Sequence, residues 1–148
     1  MTKTVVLLAL IVSATATASP AATCNVKSAD VHVNNGLTII KAGRFSDILV
    51  LRNSGHEAAL AAQGYQECVI SMGGEEPQSS VMRLRRTLAL TTALTLYHLS
   101  GIPHEKTDRI YRSVETDLTH LMMSPDLSAD QQHIAADSLK DLRKTFAP

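Results

Sequence analysis

The segment from about residue 79 to residue 100 constrains the fold more than any other part of the chain. Read as a helix, it carries apolar residues around much of its circumference: Val81, Met82, Leu84, Leu88, Leu90, Leu94, Leu96 and Leu99. A helix that is apolar on most sides is normally surrounded by other helices. We therefore expect this segment to form the central helix of a bundle, with its small threonines allowing close packing.

Two more helices are predicted after the central one. Gly101 is a suitable left-handed stop for the central helix. The segment 103–123 then has apolar residues at three- and four-residue steps, which is typical of an amphipathic helix. Ser128 and Gln131 have the spacing of a capping box, so a last helix is expected to begin there.

The N-terminal side gives a less regular pattern. Ser54 and Glu57 also have capping-box spacing, which predicts a helix that begins near them. Residues 24–53 hold short apolar runs and a turn signal at Asn34-Asn35-Gly36. The periodicity of such short runs does not distinguish strands from buried helical turns. A small hairpin is one alternative, and short helical or extended structure is favoured. The predicted fold class is mainly α: a small bundle of about four helices with an irregular or partly extended N-terminal segment tied by one disulfide.

Residues 1–22 have the pattern of a secretory signal peptide. Lys3 supplies positive charge, an apolar run follows over residues 5–12, and small residues place candidate cleavage sites after Ala18 and Ala21. The run is well short of the about 20 residues that a membrane span needs. We expect a signal peptide over 1–22 and a single helical domain over 23–148, exported across the inner membrane to the periplasm or, alternatively, to the extracellular space. No stable membrane insertion is expected after cleavage.

Cys24 and Cys68 are the two cysteines of the chain. In an oxidising compartment an even, minimal pair of cysteines is typical of one disulfide. A lipid anchor on Cys24 is a weaker alternative because Thr23 stands directly before it. A metal site is weaker still, since the cysteines are far apart in sequence and no CxxC is present. The sequence therefore predicts a Cys24–Cys68 disulfide.

Composition argues against several classes of partner. The 14 basic and 14 acidic residues balance, whereas a general nucleic-acid binder carries a basic excess. Two Phe, three Tyr and no Trp leave few aromatic platforms for carbohydrates or bases. Nucleic acid is therefore not expected as a partner.

No pattern in the chain commits it to catalysis or to a cofactor. His104 with Asp108 and Asp117 with His120 have spacings that would place each pair on one helix face, but HExxH is absent and ordinary solvated side chains are favoured. GxSxG and other nucleophile signatures are absent as well. We expect no catalytic residue, no cofactor and no metal. A non-enzymatic protein is favoured over an enzyme.

The arginines Arg83, Arg85 and Arg86 are the most unusual local feature. They lie near the start of the central helix, where positive charge opposes the helix dipole. Three explanations stay open: ion pairs with Glu75, Glu76 or the acidic start of a neighbouring helix, contacts with carboxylates of a partner protein, and contact with an anionic lipid surface. The three arginines are the candidate partner contacts.

The leading functional hypothesis is a non-enzymatic periplasmic or secreted protein-interaction module, such as an inhibitor, an immunity protein, a chaperone or an accessory subunit of an envelope machine. Another protein is then the expected partner, and the oligomeric state is not predicted. One alternative is a secreted effector or virulence factor. Others are a helical protein that binds an apolar ligand and a small hydrolase whose site forms only in the folded chain.

Overall fold

The computed structural model describes residues 26–43, 47–73 and 77–146 of the chain. Five helices occupy these residues: α1 (Lys27–Ala42), α2 (Ile48–Ser71), α3 (Pro77–Leu99), α4 (His104–Leu121) and α5 (Ala129–Phe146). No strand occurs in the described ranges. The prediction of a mainly helical bundle is confirmed, whereas the predicted number of four helices is corrected to five.

The additional helix is α1, which replaces the expected irregular or extended segment. The turn signal Asn34-Asn35-Gly36 lies inside this helix. Gly36 is buried against α3: a Cβ at this position would lie 3.0 Å from Thr92 Cγ2 and 3.2 Å from Leu96 Cδ1. Close helix packing, rather than a hairpin, is thus the reason that glycine suits this position, and tertiary contacts override the local turn preference.

Helix α2 begins at Ile48 rather than at Ser54, so the capping box predicted at Ser54 is wrong. The Asp47 carboxylate caps the helix instead, accepting hydrogen bonds from the amides of Leu49 at 3.0 Å and Val50 at 3.2 Å. Ser54 and Gly55 are buried in the helix interior. They lie where α2 crosses α3, since a Cβ on Gly55 would come within 2.7 Å of the Tyr97 ring.

The turn between α3 and α4 has the predicted glycine stop. Gly101 has a φ of 78°. Its amide donates to the His98 carbonyl at 3.0 Å, and the Ile102 amide donates to the Tyr97 carbonyl at 3.0 Å. These two bonds form a Schellman motif, which holds the end of α3 and the start of α4 in a defined relation.

The capping box predicted before α5 is confirmed. The Ser128 hydroxyl accepts from the Gln131 amide at 3.2 Å, and the Gln131 side chain accepts from the Ser128 amide at 3.0 Å. Leu127, one residue earlier, is buried in the core. The connection between α4 and α5 is therefore anchored at its end.

Helix α3 is the central element, as predicted. It packs against all four other helices, and it contributes fully buried apolar side chains along its length: Leu84, Leu88, Ala89, Ala93, Leu94 and Leu96. Its threonine hydroxyls donate to carbonyls four residues earlier at 2.8–2.9 Å, so their polarity is satisfied inside the helix: Thr87, Thr91, Thr92 and Thr95. Of the helices in the described ranges, none combines the length and apolar content needed to cross a membrane.

Two predictions concern residues outside the described ranges. The signal peptide over 1–22 is one of them. The other is the disulfide, because Cys24 lies outside the described residues while Cys68 is buried in α2. The pairing of Cys24 with Cys68 stays a prediction.

Candidate binding groove

The three arginines of α3 occupy three different environments. Arg85 is buried, with its side chain 2% exposed, and its Nη1 lies 3.5 Å from Asp30 Oδ1 on α1. The same carboxylate oxygen accepts a hydrogen bond from the hydroxyl of Tyr65 on α2. The Arg85 guanidinium carbon lies 6.0 Å from the centre of the Tyr65 ring. Arg85, Asp30 and Tyr65 thus form a buried polar trio that joins three helices.

The trio changes the titration of Tyr65. Burial raises the pKa of the Tyr65 hydroxyl well above its usual range, and the hydrogen bond to Asp30 raises it further, against a smaller opposing effect of Arg85. The hydroxyl therefore stays protonated and remains the donor to Asp30. Because Arg85 is held in this interior contact, it does not contribute to the outer surface of α3.

Arg86 forms an ion pair on a different side of α3. Its Nη1 lies 3.2 Å from Asp117 Oδ2 on α4, and both side chains are about one-third exposed. Arg86 and Arg85 therefore both form ion pairs within the protein, Arg86 with Asp117 and Arg85 with Asp30. Asp30 lies in the first turn of α1. Arg83 is exposed.

Arg83 and Arg86 line a surface groove of about 580 Å³. The groove lies between the ends of α2, α3 and α4 and the connection that precedes α5, and its wall residues come from all four: Gln66, Val69, Ser80, Arg83, Arg86, Asp117, His120, Leu121, Met123, Ser124, Pro125 and Asp126. Val69 and Leu121 are the buried apolar residues of the lining, and we refer to them as the apolar base of the groove. Met123 is 67% exposed at the rim.

The loop wall of the groove is held by hydrogen bonds on both sides. Ser80 on α3 donates to Asp126 at 3.3 Å. Gln132 on α5 donates through Nε2 to the Ser124 carbonyl at 2.6 Å. The exposed Met123 therefore lies beside Ser124 and near Asp126, both of which are hydrogen-bonded to neighbouring helices.

The polar chemistry of the groove suits binding better than nucleophilic catalysis. Ser80 donates directly to the Asp126 carboxylate, whereas a nucleophilic serine donates to an imidazole base. The Asp117 carboxylate is engaged by Arg86. The lining therefore combines charged and hydrogen-bonding groups with apolar residues.

The histidine–carboxylate pairs suggested by sequence spacing are engaged elsewhere. Asp108 accepts from Arg112 Nε at 2.7 Å, and Asp117 pairs with Arg86. His120 lies in the groove wall. Within the described part of the chain, no group of three or more His, Cys, Asp or Glu residues is placed to hold a metal ion.

A second polar cluster was not predicted from the sequence. His98 Nδ1 at the end of α3 lies 3.0 Å from His104 Nε2 at the start of α4. Both rings pack near Phe146 of α5, and Phe146 also lies 5.6 Å from the Tyr111 ring. The signal for this cluster is the pair of histidines on either side of Gly101, because a Schellman turn folds the chain back between them.

Comparison with known proteins adds no relative: no family model, curated protein or solved structure matches this chain.

Proposed function

We propose that this protein is a secreted, non-enzymatic protein-interaction module, and that the groove receives a segment of its partner protein. The observation that carries the proposal is the groove itself. It combines an apolar base, an exposed methionine and a charged rim to which two of the three predicted arginines contribute.

This combination resembles the anatomy of protein interfaces, in which an apolar centre is enclosed by a polar rim. Methionine supports such a role because its unbranched side chain adapts to the shape of a partner. Arginine supports it because the planar guanidinium binds carboxylates with two parallel hydrogen bonds. Arg83 is exposed and lies where it could make that contact.

The site of action belongs to the same proposal. The signal-peptide pattern of residues 1–22 supports export, with the periplasm as the expected compartment and the extracellular space as the alternative. The classes that fit are an inhibitor, an immunity protein, a chaperone or an accessory subunit of an envelope machine. The proposed partner is another protein; neither a nucleic acid nor a cofactor is part of the proposal.

The first test locates the partner on the groove by photo-crosslinking. A photoreactive amino acid replaces Met123 in one protein and exposed Leu60 of α2, which does not line the groove, in a control. Both proteins are expressed with their signal sequence in the source cells and irradiated in place. We expect one crosslinked protein from position 123 and none from position 60. The same crosslinks from both positions would contradict the groove as the binding site.

The second test measures the affinity for the partner that the crosslink identifies. Arg83→Glu reverses an exposed charge in the groove, and Arg109→Glu reverses an exposed charge on α4 outside it. We expect the first change to weaken Kd at least tenfold, or about 1.4 kcal/mol, and the second to leave Kd nearly unchanged. Equal affinities of the two variants, measured by calorimetry, would remove Arg83 from the proposal.

A further inference from the structure

The two histidines at the turn between α3 and α4 have a geometry that the groove does not explain. His98 and His104 are both exposed, and their facing nitrogens are 3.0 Å apart. We propose that His98 Nδ1 and His104 Nε2 bind a late first-row transition-metal cation, such as Cu²⁺, Ni²⁺ or Zn²⁺, with the remaining coordination positions open to water. This site is independent of the proposed partner groove.

The distance between the two nitrogens matches that of neighbouring metal ligands. A metal–imidazole bond is about 2.0–2.1 Å long, so two such ligands at angles of 90° to 109° lie about 2.9–3.4 Å apart. The observed 3.0 Å falls in this range. To bind one metal ion, each ring must rotate so that its lone pair points at the metal rather than along the line between the two nitrogens.

The backbone holds the end of α3 and the start of α4, which carry the two histidines, close together. The Schellman bonds from Gly101 to His98 and from Ile102 to Tyr97 close the turn between them. Phe146 packs against both rings, with centroid distances of 5.4 Å to His98 and 5.0 Å to His104. Less ordering is therefore required on binding than for two histidines on a flexible segment.

The ligand set indicates the class of cation. Imidazole nitrogens suit Cu²⁺, Ni²⁺ and Zn²⁺, whereas Ca²⁺ and Mg²⁺ require oxygen ligands. No group of three ligating side chains occurs in the described part of the chain, and we expect water to complete the coordination. Among these cations Cu²⁺ should bind most tightly, following the general affinity order of divalent metals.

Binding requires one change of tautomer. In the hydrogen-bonded pair, one of the two facing nitrogens carries the shared proton and the other accepts it. With the metal bound, both facing nitrogens are ligands and neither carries a proton. The ring that donated the hydrogen bond in the metal-free protein therefore carries its proton on its other nitrogen. Both rings must be neutral, and acid therefore competes with the metal.

The test is a titration of the tag-free, full-length mature protein with Cu²⁺, followed by calorimetry and electron paramagnetic resonance. His98→Gln and His104→Gln each remove one ligand, and His56→Gln removes an exposed histidine on α2 as the control. We expect saturation at one equivalent and a spectrum with coupling to two imidazole nitrogens. Kd should weaken at least tenfold in each ligand variant, stay unchanged in His56→Gln and weaken as the pH is lowered.

The proposal would be overturned by the absence of saturable binding in the wild-type protein. Binding that His98→Gln and His104→Gln leave unchanged would overturn it too, since the ion would then occupy another position. Far-ultraviolet circular dichroism of each variant verifies the fold, and the exposed position of both side chains makes correct folding the expected result.

Discussion

At the scale of single residues, the arginines of α3 show how strongly helical geometry separates sequence neighbours. Arg85 and Arg86 are adjacent, so their side chains leave the helix about 100° apart. Arg85 therefore meets Asp30 in the interior, whereas Arg86 meets Asp117 at the groove. Replacing a buried charge normally destabilises a protein strongly because its partner stays behind in a low-dielectric environment. The trio around Arg85 is thus a structural element, and the proposed recognition belongs to Arg83 and Arg86.

Tyr65→Phe tests the trio through the dependence of stability on pH. The folded protein holds the Tyr65 proton more tightly than the unfolded chain, whose tyrosines have a pKa of about 10. The resulting stabilisation is complete below pH 10 and is lost as the pH rises above it. We expect the variant to lose about 1–3 kcal/mol at pH 7, where a buried acceptor loses its donor. Urea denaturation at pH 7 and at several values above pH 10 measures both effects.

The matched control for this experiment is Tyr111→Phe. Burial also raises the pKa of Tyr111, but this side chain is only partly buried and lies outside the trio. Above pH 10, the free energy of unfolding should therefore fall less steeply in Tyr65→Phe than in Tyr111→Phe. A slope in Tyr65→Phe equal to that of the wild-type protein would show that the Tyr65 proton does not contribute to folding.

At the scale of helices, two glycines inside predicted or observed helices differ in the space beside them: Gly64 has room for a Cβ, whereas Gly36 is in close contact with α3. A Cβ on Gly64 of α2 would lie 3.8 Å from the Ala29 Cβ, which is ordinary contact, whereas a Cβ on Gly36 of α1 would press on buried Thr92 and Leu96. Alanine gains about 1 kcal/mol over glycine from helix propensity at either site. Gly64→Ala should therefore stabilise the protein by about 0.5–1 kcal/mol, and Gly36→Ala should destabilise it.

Thermal and urea unfolding of the two alanine variants measure this difference. Helix propensity contributes equally to both, so the difference between them reports the packing of α1 against α3. If both changes raised the stability by the same amount, the contact of Gly36 with Thr92 and Leu96 would have to be looser than described.

The helices also show which parts of the fold are predictable from sequence. Two patterns predict the structure correctly. The apolar residues around most of the circumference of α3 predict its central position, and the capping box of Ser128 and Gln131 predicts the start of α5. The same capping-box spacing at Ser54 is misleading because Asp47 caps the helix earlier and α2 continues through Gly55. Local signals fail where a glycine serves the packing of two helices rather than a turn, as at Gly36.

At the scale of the whole molecule, the candidate groove is beyond prediction from sequence. Arg83 and Arg86 were singled out by their unusual position, but Met123 and the apolar base become part of a site only when three helices and a connection meet. Likewise, the partners of Arg85 and Arg86 lie on α1 and α4, far away in the chain. Sequence reasoning finds the unusual residues, and tertiary structure decides which of them share a surface.

The predicted Cys24–Cys68 disulfide is a test of compartment as well as of structure. A thiol assay on denatured, unreduced protein purified from the periplasm should find no free thiol. Reduction should lower the free energy of unfolding by up to about 4 kcal/mol, as expected for a loop of this length. The same chain expressed in a reducing cytosol serves as the control and should give two free thiols. Two free thiols in the protein purified from the periplasm would contradict the pairing.

The adjacent arginines also have a consequence for how α3 is seated among its neighbours. A helix that is apolar on most sides offers similar surfaces to several neighbours, so its apolar pattern distinguishes rotations about its axis less sharply than a single apolar face does. Arg85 reaches towards α1 and Arg86 towards α4. Turning α3 by a single residue would bring both guanidinium groups away from their carboxylates. The two ion pairs, on different sides of α3, therefore add to the apolar packing in favouring one rotation of this helix about its axis.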